Sequence, residues 1–250
     1  MYLLPNPAFA DNYRWRLHDG KRAVVVDPGD ALPVFCTLKK HTLQLESILV
    51  THHHADSIAD VDILREATGP TVCSPATKPI PQPCLSRQEG NSVHTLGLLF
   101  QGMDGPGHKA GHIAYYTPNV DGKPLLFCGD TLFSAGCGRL FKGTPARMLA
   151  SPDKVAALPC TMLVCCPREY ASSNLSFALG LEANNTDLDA YQASCVRLRG
   201  GDLPTVLSFI AQELLFNPFL PTRQAPLKTA AHRFDASAHN DSTLSAAIRQ

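Results

Sequence analysis

The chain has 250 residues, of which 44% are hydrophobic, so it is long enough to bury a substantial core in one domain or two. Its 22 basic residues balance 22 acidic residues, and this zero formal charge gives no electrostatic basis for binding nucleic acid or an anionic membrane. No apolar run approaches the roughly 18 residues that span a bilayer, so we expect neither nucleic acid nor membrane as a partner.

Short apolar runs alternate with helical patterns over the first two thirds of the chain, which predicts an α/β fold. We predict strands at 23–26, 47–50, 71–73, 93–101, 113–117, 124–128 and 161–165. We predict helices at 33–41, 58–67, 144–158, 187–199 and 205–215. The pattern is mostly helical after about residue 170, so we divide the chain into an α/β domain at 1–170 and a helical domain at 171–250.

The cysteines indicate a reducing compartment. There are nine of them, an odd number at irregular spacing, with Cys165 and Cys166 adjacent. This usage fits a cytoplasmic protein better than a disulfide framework.

The strongest functional signal is the segment 51–57, THHHADS, directly after a predicted strand. His52 and His54 alternate, so an extended backbone points both side chains the same way, and Asp56 follows closely. Two imidazoles beside a carboxylate suit Zn²⁺ or Fe²⁺. The segment therefore predicts a metal site, the alternative being a solvated histidine-rich turn.

Two later segments extend this site. The segment 105–112, GPGHKAGH, contains His108, which could complete a set of three histidines, and its glycines permit tight backbone turns. The segment 128–133, CGDTLF, follows a predicted strand and places Asp130 at a strand end, where sites are commonly built.

In this order the segments resemble the metallo-β-lactamase superfamily, whose pattern is H-x-H-x-D-H, G-H-T-x-G-H, G-D-T and a final histidine. Within it the chain is similar to glyoxalase II, the hydroxyacylglutathione hydrolases. This similarity rests on PAFADNY at 7–13, VDPGD at 26–30, GCGR at 136–139, EY at 169–170, NPFL at 217–220 and AHRFD at 231–235. The resemblance implies an αβ/βα sandwich, with the catalytic domain at 1–170 and a helical substrate-binding domain at 171–250.

The resemblance implies a set of metal ligands. His52, His54 and His108 match the first metal site of the family, Asp130 the bridging carboxylate, and Asp56 a ligand of the second site. Asp56 and Asp130 would also orient the attacking water or accept its protons.

Two histidines of the family's second site are replaced, by Ser57 and Arg168. An arginine stays protonated and does not ordinarily ligate a metal. We therefore expect one zinc ion rather than two, with iron as a possible substitute. The Arg168 guanidinium is expected to occupy part of the missing ion's space, within hydrogen-bond reach of Asp56 or Asp130, the alternative being that it points to solvent.

The family's activity implies a substrate and its contacts. The expected reaction is hydrolysis of S-D-lactoylglutathione, or a related small thioester, to D-lactate and glutathione, catalysed by a cytoplasmic monomer. Arg139, Phe141 and Tyr170 match family positions that hold glutathione, whereas Pro221 stands where the family has an arginine.

Two other functions stay open on the sequence alone. The first is a mononuclear iron persulfide dioxygenase of the same superfamily, which would use two histidines and one carboxylate. The second is a catalytically inactive relative of glyoxalase II that binds a thiol ligand or a protein partner, since several departures cluster near the site. Metal content and turnover separate the three.

Overall fold

The protein was analysed as a computed structural model that describes residues 1–76, 80, 82–105, 111–138, 145–220, 225–238 and 241–248. For 145–150, 225–226, 241–242, 245 and 248 it describes the backbone alone. The predicted site residues His108, Arg139 and Phe141 lie outside the described residues, as does Pro221.

Most of the described strands form two mixed sheets. The first sheet has the order β1-β2-β3-β4-β5-β6, formed by Tyr2–Ala8, Asn12–His18, Arg22–Val26, Gln44–Leu49, Thr71–Pro75 and Leu85–Arg87. Strands β1 to β3 pair antiparallel, and β3 to β6 pair parallel. The carboxyl ends of β3, β4 and β5 therefore meet at one edge of this sheet.

The second sheet is mostly antiparallel. Its order is β14-β13-β10-β9-β8-β7, formed by Leu207–Phe209, Leu163–Cys165, Lys123–Phe127, Ile113–Val120, Leu98–Asp104 and Ser92–Thr95. Only the pair β10–β13 is parallel within this described sheet. A short hairpin of β11 (Leu132–Phe133) and β12 (Gly136–Cys137) follows β10.

Helices cover the sheets and build most of the last third of the chain. Those of the described residues are α1 Ala31–His41, α2 Ala55–Ile58, α3 Val61–Thr68, α4 Pro145–Ala156, α5 Ala171–Leu181, α6 Thr186–Gly200, α7 Ile210–Phe216, α8 Ala225–Phe234 and α9 Asp241–Ile248. Among these helices, none has the length and apolar character that a bilayer crossing requires.

The burial of β3 explains why its sequence is a continuous apolar run. Val24 and Val26 belong to the core between the two sheets, with Trp15, whereas Val25 belongs to a second core with Val34 of α1. Successive side chains of a strand point to opposite faces, so both faces of β3 must be apolar. The first sheet thus lies between the second sheet and α1 and α3, in an α/β sandwich.

The predicted elements agree with the structure except at particular places. The predicted strand at 93–101 is two strands, β7 and β8, because a turn with positive φ at Leu96 and Gly97 separates them. The prediction of helix at 205–215 is wrong at its beginning, since Leu207–Phe209 is strand β14 and pairs with β13. A three-residue strand carries too little periodicity to be recognised beside a helix. Strands β1, β2 and β6 were not predicted either.

Candidate metal centre

Three of the predicted metal ligands converge at the edge of the two sheets. His52 and His54 lie in the loop between β4 and α2, and Asp130 lies in a 3₁₀ turn directly after β10. The His52 Nε2 atom is 2.8 Å from His54 Nδ1, and Asp130 Oδ2 lies 3.6 Å from the first of these atoms and 3.7 Å from the second. His52 and Asp130 are buried, whereas His54 is partly exposed. Only this trio, among the described residues, brings three potential ligand atoms within 4.8 Å of one another.

This donor set fits a metal ion. Two imidazole nitrogens and one carboxylate oxygen approach a common point from different segments, and such mixed nitrogen and oxygen sets hold Zn²⁺ or Fe²⁺ in proteins. The chemistry of these side chains therefore supports the first metal position of the family pattern.

A buried carboxylate orients the first histidine through a threonine. Asp27, at the end of β3, accepts hydrogen bonds of 2.7 Å from both the backbone N–H and the hydroxyl of Thr51. The Thr51 Oγ1 atom is 2.8 Å from His52 Nδ1, so a threonine oxygen that donates to Asp27 can accept from this imidazole N–H. In that tautomer Nε2 carries the lone pair with which an imidazole binds a cation. Burial raises the pKa of Asp27 to about 7, an effect that the Thr51 hydrogen bonds oppose.

Two glycines allow the loops around the site to approach each other. A Cβ atom at Gly129, where φ is +49°, would lie 2.5 Å from both His112 Nε2 and Thr51 Oγ1. A Cβ atom at Gly29 would lie 1.8 Å from the carbonyl oxygen of Asp56. Neither loop could keep its position with a larger residue.

His112 packs against the centre. Its buried ring stacks on that of His52 with 5.3 Å between centroids, and its Nδ1 atom is 3.2 Å from Thr131 Oγ1. These contacts agree with a structural role for this second histidine of the segment 105–112.

The second position of the centre is built differently. The carboxylate of Asp56, in the first turn of α2, meets several donors on one oxygen. Its Oδ2 atom accepts hydrogen bonds from Arg168 Nη2 at 2.7 Å and Asn12 Nδ2 at 2.9 Å, and Arg14 Nη2 lies 3.8 Å away. Arg14 also donates to the backbone carbonyl of Asp56. This carboxylate is therefore paired with protein cations.

Arg168 contacts both carboxylates of the site. Its Nη2 atom is 3.5 Å from Asp130 Oδ2, in addition to the short contact with Asp56, and its Nη1 atom donates to Asn12 Oδ1. Partial burial lowers the pKa of Arg168, but the carboxylates of Asp130 and Asp56 raise it, and the net result is above the usual arginine value. The expectation that this guanidinium lies within hydrogen-bond reach of Asp56 is met.

The backbone around Arg168 is held against β2. An antiparallel bridge joins Asn12 to Arg168, and the Tyr13 N–H donates to the Pro167 carbonyl at 2.8 Å. The indole N–H of Trp15 donates to the Cys166 carbonyl at 2.9 Å. These bonds from a buried strand place the guanidinium where the family pattern has a metal-binding histidine.

Ser57 stands at the other replaced position. Its side chain is 1% exposed, and its hydroxyl has no hydrogen-bond partner among the described residues. A buried hydroxyl without a partner is uncommon and adds no binding group to the site.

Tyr170 is the one predicted substrate contact within the described residues. Its ring packs edge to face on Phe133 with 5.4 Å between centroids. Burial raises the pKa of the phenol above its usual value, and the charge of Arg168 opposes this shift. Its role in binding substrate stays a prediction.

Sequence reasoning missed Arg14 and gave no role to Asn12. Arg14 alternates with Trp15 in β2, so the usual pattern would place its side chain in solvent, yet this side chain is 3% exposed. Its guanidinium lies 5.6 Å from the centroid of the Phe9 ring. A charged residue inside a strand that is otherwise buried was the available signal.

Comparisons with known proteins agree with this architecture. The family model described as metallo-beta-lactamase superfamily matches residues 15–166. A solved structure described as the BLEG-1 B3 metallo-beta-lactamase is 26% identical, with a TM-score of 0.64, over 88% of this chain and 99% of that one. The structure of ETHE1 from Myxococcus xanthus, 22% identical, shares the fold with a TM-score of 0.67, covering 100% and 97% of the two chains. The fold is therefore that of the metallo-β-lactamase superfamily.

The C-terminal part narrows the family. The model described as hydroxyacylglutathione hydrolase C-terminus matches residues 169–250. The hydroxyacylglutathione hydrolase of Albidiferax ferrireducens is 53% identical over 250 residues, which cover 100% of this chain and 98% of the relative. That of Pseudomonas aeruginosa strain LESB58 is 49% identical over 90% of this chain and 88% of the relative. This chain belongs to the hydroxyacylglutathione hydrolase family, the glyoxalase II enzymes.

Proposed function

We propose that this protein hydrolyses hydroxyacylglutathione thioesters, with S-D-lactoylglutathione as the substrate and D-lactate and glutathione as the products. The observation that carries the proposal is the convergence of His52, His54 and Asp130 in a chain that is 53% identical over its whole length to a hydroxyacylglutathione hydrolase. The match of residues 169–250 to the C-terminal model of that family favours the hydrolase over an iron persulfide dioxygenase.

The proposed cofactor is one zinc ion at the first position. His52, His54 and Asp130 would hold it, with His108 as the third histidine that the family pattern implies. When bound, zinc lowers the pKa of water towards neutrality and polarises a carbonyl group. Iron would fit the same donors, so the identity of the metal needs direct analysis.

Asp130 is the residue best placed to handle the proton of the attacking water. Its carboxylate lies between the two histidines and the Arg168 guanidinium, so it is held in one orientation. In the reaction, water adds its oxygen to the acyl carbon, the carbon–sulfur bond breaks, and the glutathione thiolate takes up a proton. We assign proton transfer to Asp130, and we assign to Asp56 the orientation of the site through Arg168.

Tyr170 is proposed to contact the glutathione portion, together with Arg139 and Phe141. Tyr170 packs against Phe133 and lies two residues after Arg168 in the chain. Pro221 replaces an arginine of the family pattern, so we expect weaker glutathione binding, seen as a raised KM with little change in kcat.

The experiment is a thioester hydrolysis assay on protein purified without chelator, with its metal content measured. We expect thiol release from S-D-lactoylglutathione, loss of that activity with a chelator, and recovery with zinc. Bound iron with oxygen uptake on a glutathione persulfide would instead support the dioxygenase. Bound metal without turnover of either substrate would support a binding protein.

We further propose a cytoplasmic monomer. All nine cysteines are free thiols, which supports a reducing compartment. Size-exclusion chromatography with light scattering tests the monomer.

A further inference from the structure

The carboxylate that the family pattern assigns to a second metal ion is already paired in this protein. Asp56 Oδ2 receives hydrogen bonds from Arg168 and Asn12. A metal ligand needs a lone pair directed at the ion, and an oxygen with two such donors presents these lone pairs to the chain's own N–H groups. Asp56 Oδ2 is therefore occupied by protein donors and is not available as a ligand for a second ion.

The charges near Asp56 lead to the same conclusion. Two guanidinium groups, from Arg14 and Arg168, lie close to two carboxylates, from Asp56 and Asp130. Arg14 and Asp130 are almost fully buried. Opposite charges in a buried cluster stabilise each other, and an added divalent cation would face two like charges at short range. The second position therefore carries its positive charge in the protein.

The geometry also shows what keeps Arg168 in place. Its Nη1 atom donates to Asn12 Oδ1 while Asn12 Nδ2 donates to Asp56, so the asparagine bridges the cation and its counter-ion. The planar guanidinium presents its donors in fixed directions, which suits simultaneous contact with an amide oxygen and two carboxylates. The backbone bridge between Asn12 and Arg168 keeps the two side chains next to each other.

We propose that Arg168, braced by Asn12 and accompanied by Arg14, is a built-in replacement for the second metal ion of this centre. It neutralises Asp56 and holds Asp130 towards the first metal position, and it closes the second position to metal. Arg168 is thus a positioning residue in the hydrolysis reaction. This role in turnover rests on the function proposed above. The closing of the second position does not depend on turnover.

The test counts zinc ions per chain after equilibrium dialysis in four proteins. The wild type is expected to hold one equivalent. The Ser57→His variant is also expected to hold one, because Arg168 still fills the second position. The Ser57→His, Arg168→His double variant is expected to hold two, since both replaced ligands return beside Asp56. Two equivalents in Ser57→His, or one in the double variant, would overturn the proposal.

Arg22→Met is the matched control. Arg22 also joins two carboxylates, Asp19 at 2.9 Å and Glu46 at 2.8 Å, but on the exposed surface of β3. Its loss should leave zinc binding at one equivalent. A change in this control equal to that in the double variant would show a general charge effect and overturn the local role of Arg168.

A second measurement on the wild type avoids any folding defect of the variants. The side-chain ¹⁵N resonance of Arg168, assigned by comparison with Arg168→Lys, is followed as zinc is added. The proposal expects no change of this signal between the first and second equivalents. Loss of the signal at the second equivalent would mean that zinc displaces the guanidinium, against the proposal. A wild type that binds one zinc yet shows no hydrolysis would contradict the proposed function alone.

Discussion

The centre has a first half, around His52 and His54, and a second half, around Asp56. These residues lie within one short segment of the chain, yet the two halves are suited to different cations. His52 and His54 direct ring nitrogens at a point beside Asp130. Asp56, two residues further on, lies against two arginines and an asparagine. The role proposed for Arg168 accounts for this difference, because a protein cation that neutralises the Asp56 carboxylate takes the place of a metal ion there.

The proposed role of Arg168 also gives a reason for a cation beside Asp56 and Asp130. Two carboxylates close together with one cation disfavour joint ionisation. Arg168 removes part of that repulsion with one permanent charge, although it cannot activate water as a metal does. Under the proposed role of Arg168, the metal held by His52 and His54 activates the water without a second ion.

The largest expected effect comes from breaking the first half. His54→Ala removes one of the converging donors, and we expect thioester hydrolysis to fall on the order of 1,000-fold, together with loss of bound metal. Steady-state assays and metal analysis check both. His94→Ala, at an exposed position of strand β7, is the control and should retain activity and metal. Full activity in His54→Ala would remove this histidine from the centre.

Breaking the second half should cost stability. Arg168→Met leaves Asp56 and Asp130 without their shared cation, and we expect the free energy of unfolding of the metal-free protein to fall by about 2 to 3 kcal/mol. A fully buried pair would lose about 3 to 5 kcal/mol, and Asp56 is partly exposed. Urea denaturation measures the change. Arg22→Met should cost much less than Arg168→Met, since the ion pairs of Arg22 are on the surface and are screened by water.

If Arg168→Met were as stable as the wild type, the guanidinium would not be compensating the carboxylates. The two halves of the centre would then differ only in that a histidine of the family pattern is absent at position 168.

Glu213, a buried acid outside the centre, should make the stability of the protein depend on pH. Burial raises the pKa of Glu213 from its usual 4.5 to about 7. The folded protein keeps this proton over a range in which the unfolded chain has lost it, so stability falls as the pH rises through that range. Glu213→Gln keeps an acceptor for the Ala135 N–H and removes the titration. As the pH rises from 5 to 8, the free energy of unfolding of the wild type should fall by about 2 kcal/mol more than that of the variant.

Urea denaturation at both pH values gives this difference, in which all other titrating groups cancel. Equal pH dependence in the two proteins would mean that Glu213 titrates normally in the folded state.

The smallest expected effect concerns Thr51, which contacts the metal-binding residue His52. Thr51→Val removes the hydroxyl that links Asp27 to His52, and we expect zinc affinity to fall about tenfold while the stoichiometry stays the same. Competition with a chromogenic chelator measures the affinity. Thr71→Val, at the exposed start of β5, is the control. An unchanged affinity in Thr51→Val would show that the imidazole needs no such support.

The convergence of His52, His54 and Asp130 was predictable from the sequence because its signal is local. His52 and His54 are two residues apart after a buried strand, and Asp130 follows another strand, so the sheet topology brings them to one edge. The exchange of histidine for Arg168 was visible in the same way. These features depend on spacing and on strand ends, which a sequence displays directly.

The support of the second half was not predictable from the sequence. Arg14 and Asn12 belong to β2, a strand whose mixture of aromatic and basic residues hid its burial, and their contacts with Asp56 span more than forty residues. Strand β14 was missed for a related reason, since its three residues become a strand only by pairing with β13. Pairing between distant segments is the information that local patterns lack.

The number of zinc ions that the wild-type protein binds tests the central claim most directly. Native mass spectrometry of the folded chain, with zinc raised from one to several equivalents, counts the bound ions without reference to activity. The account predicts a single tightly bound ion at every ratio, because the Arg168 guanidinium serves as the second cation. Two tightly bound ions per chain would contradict it.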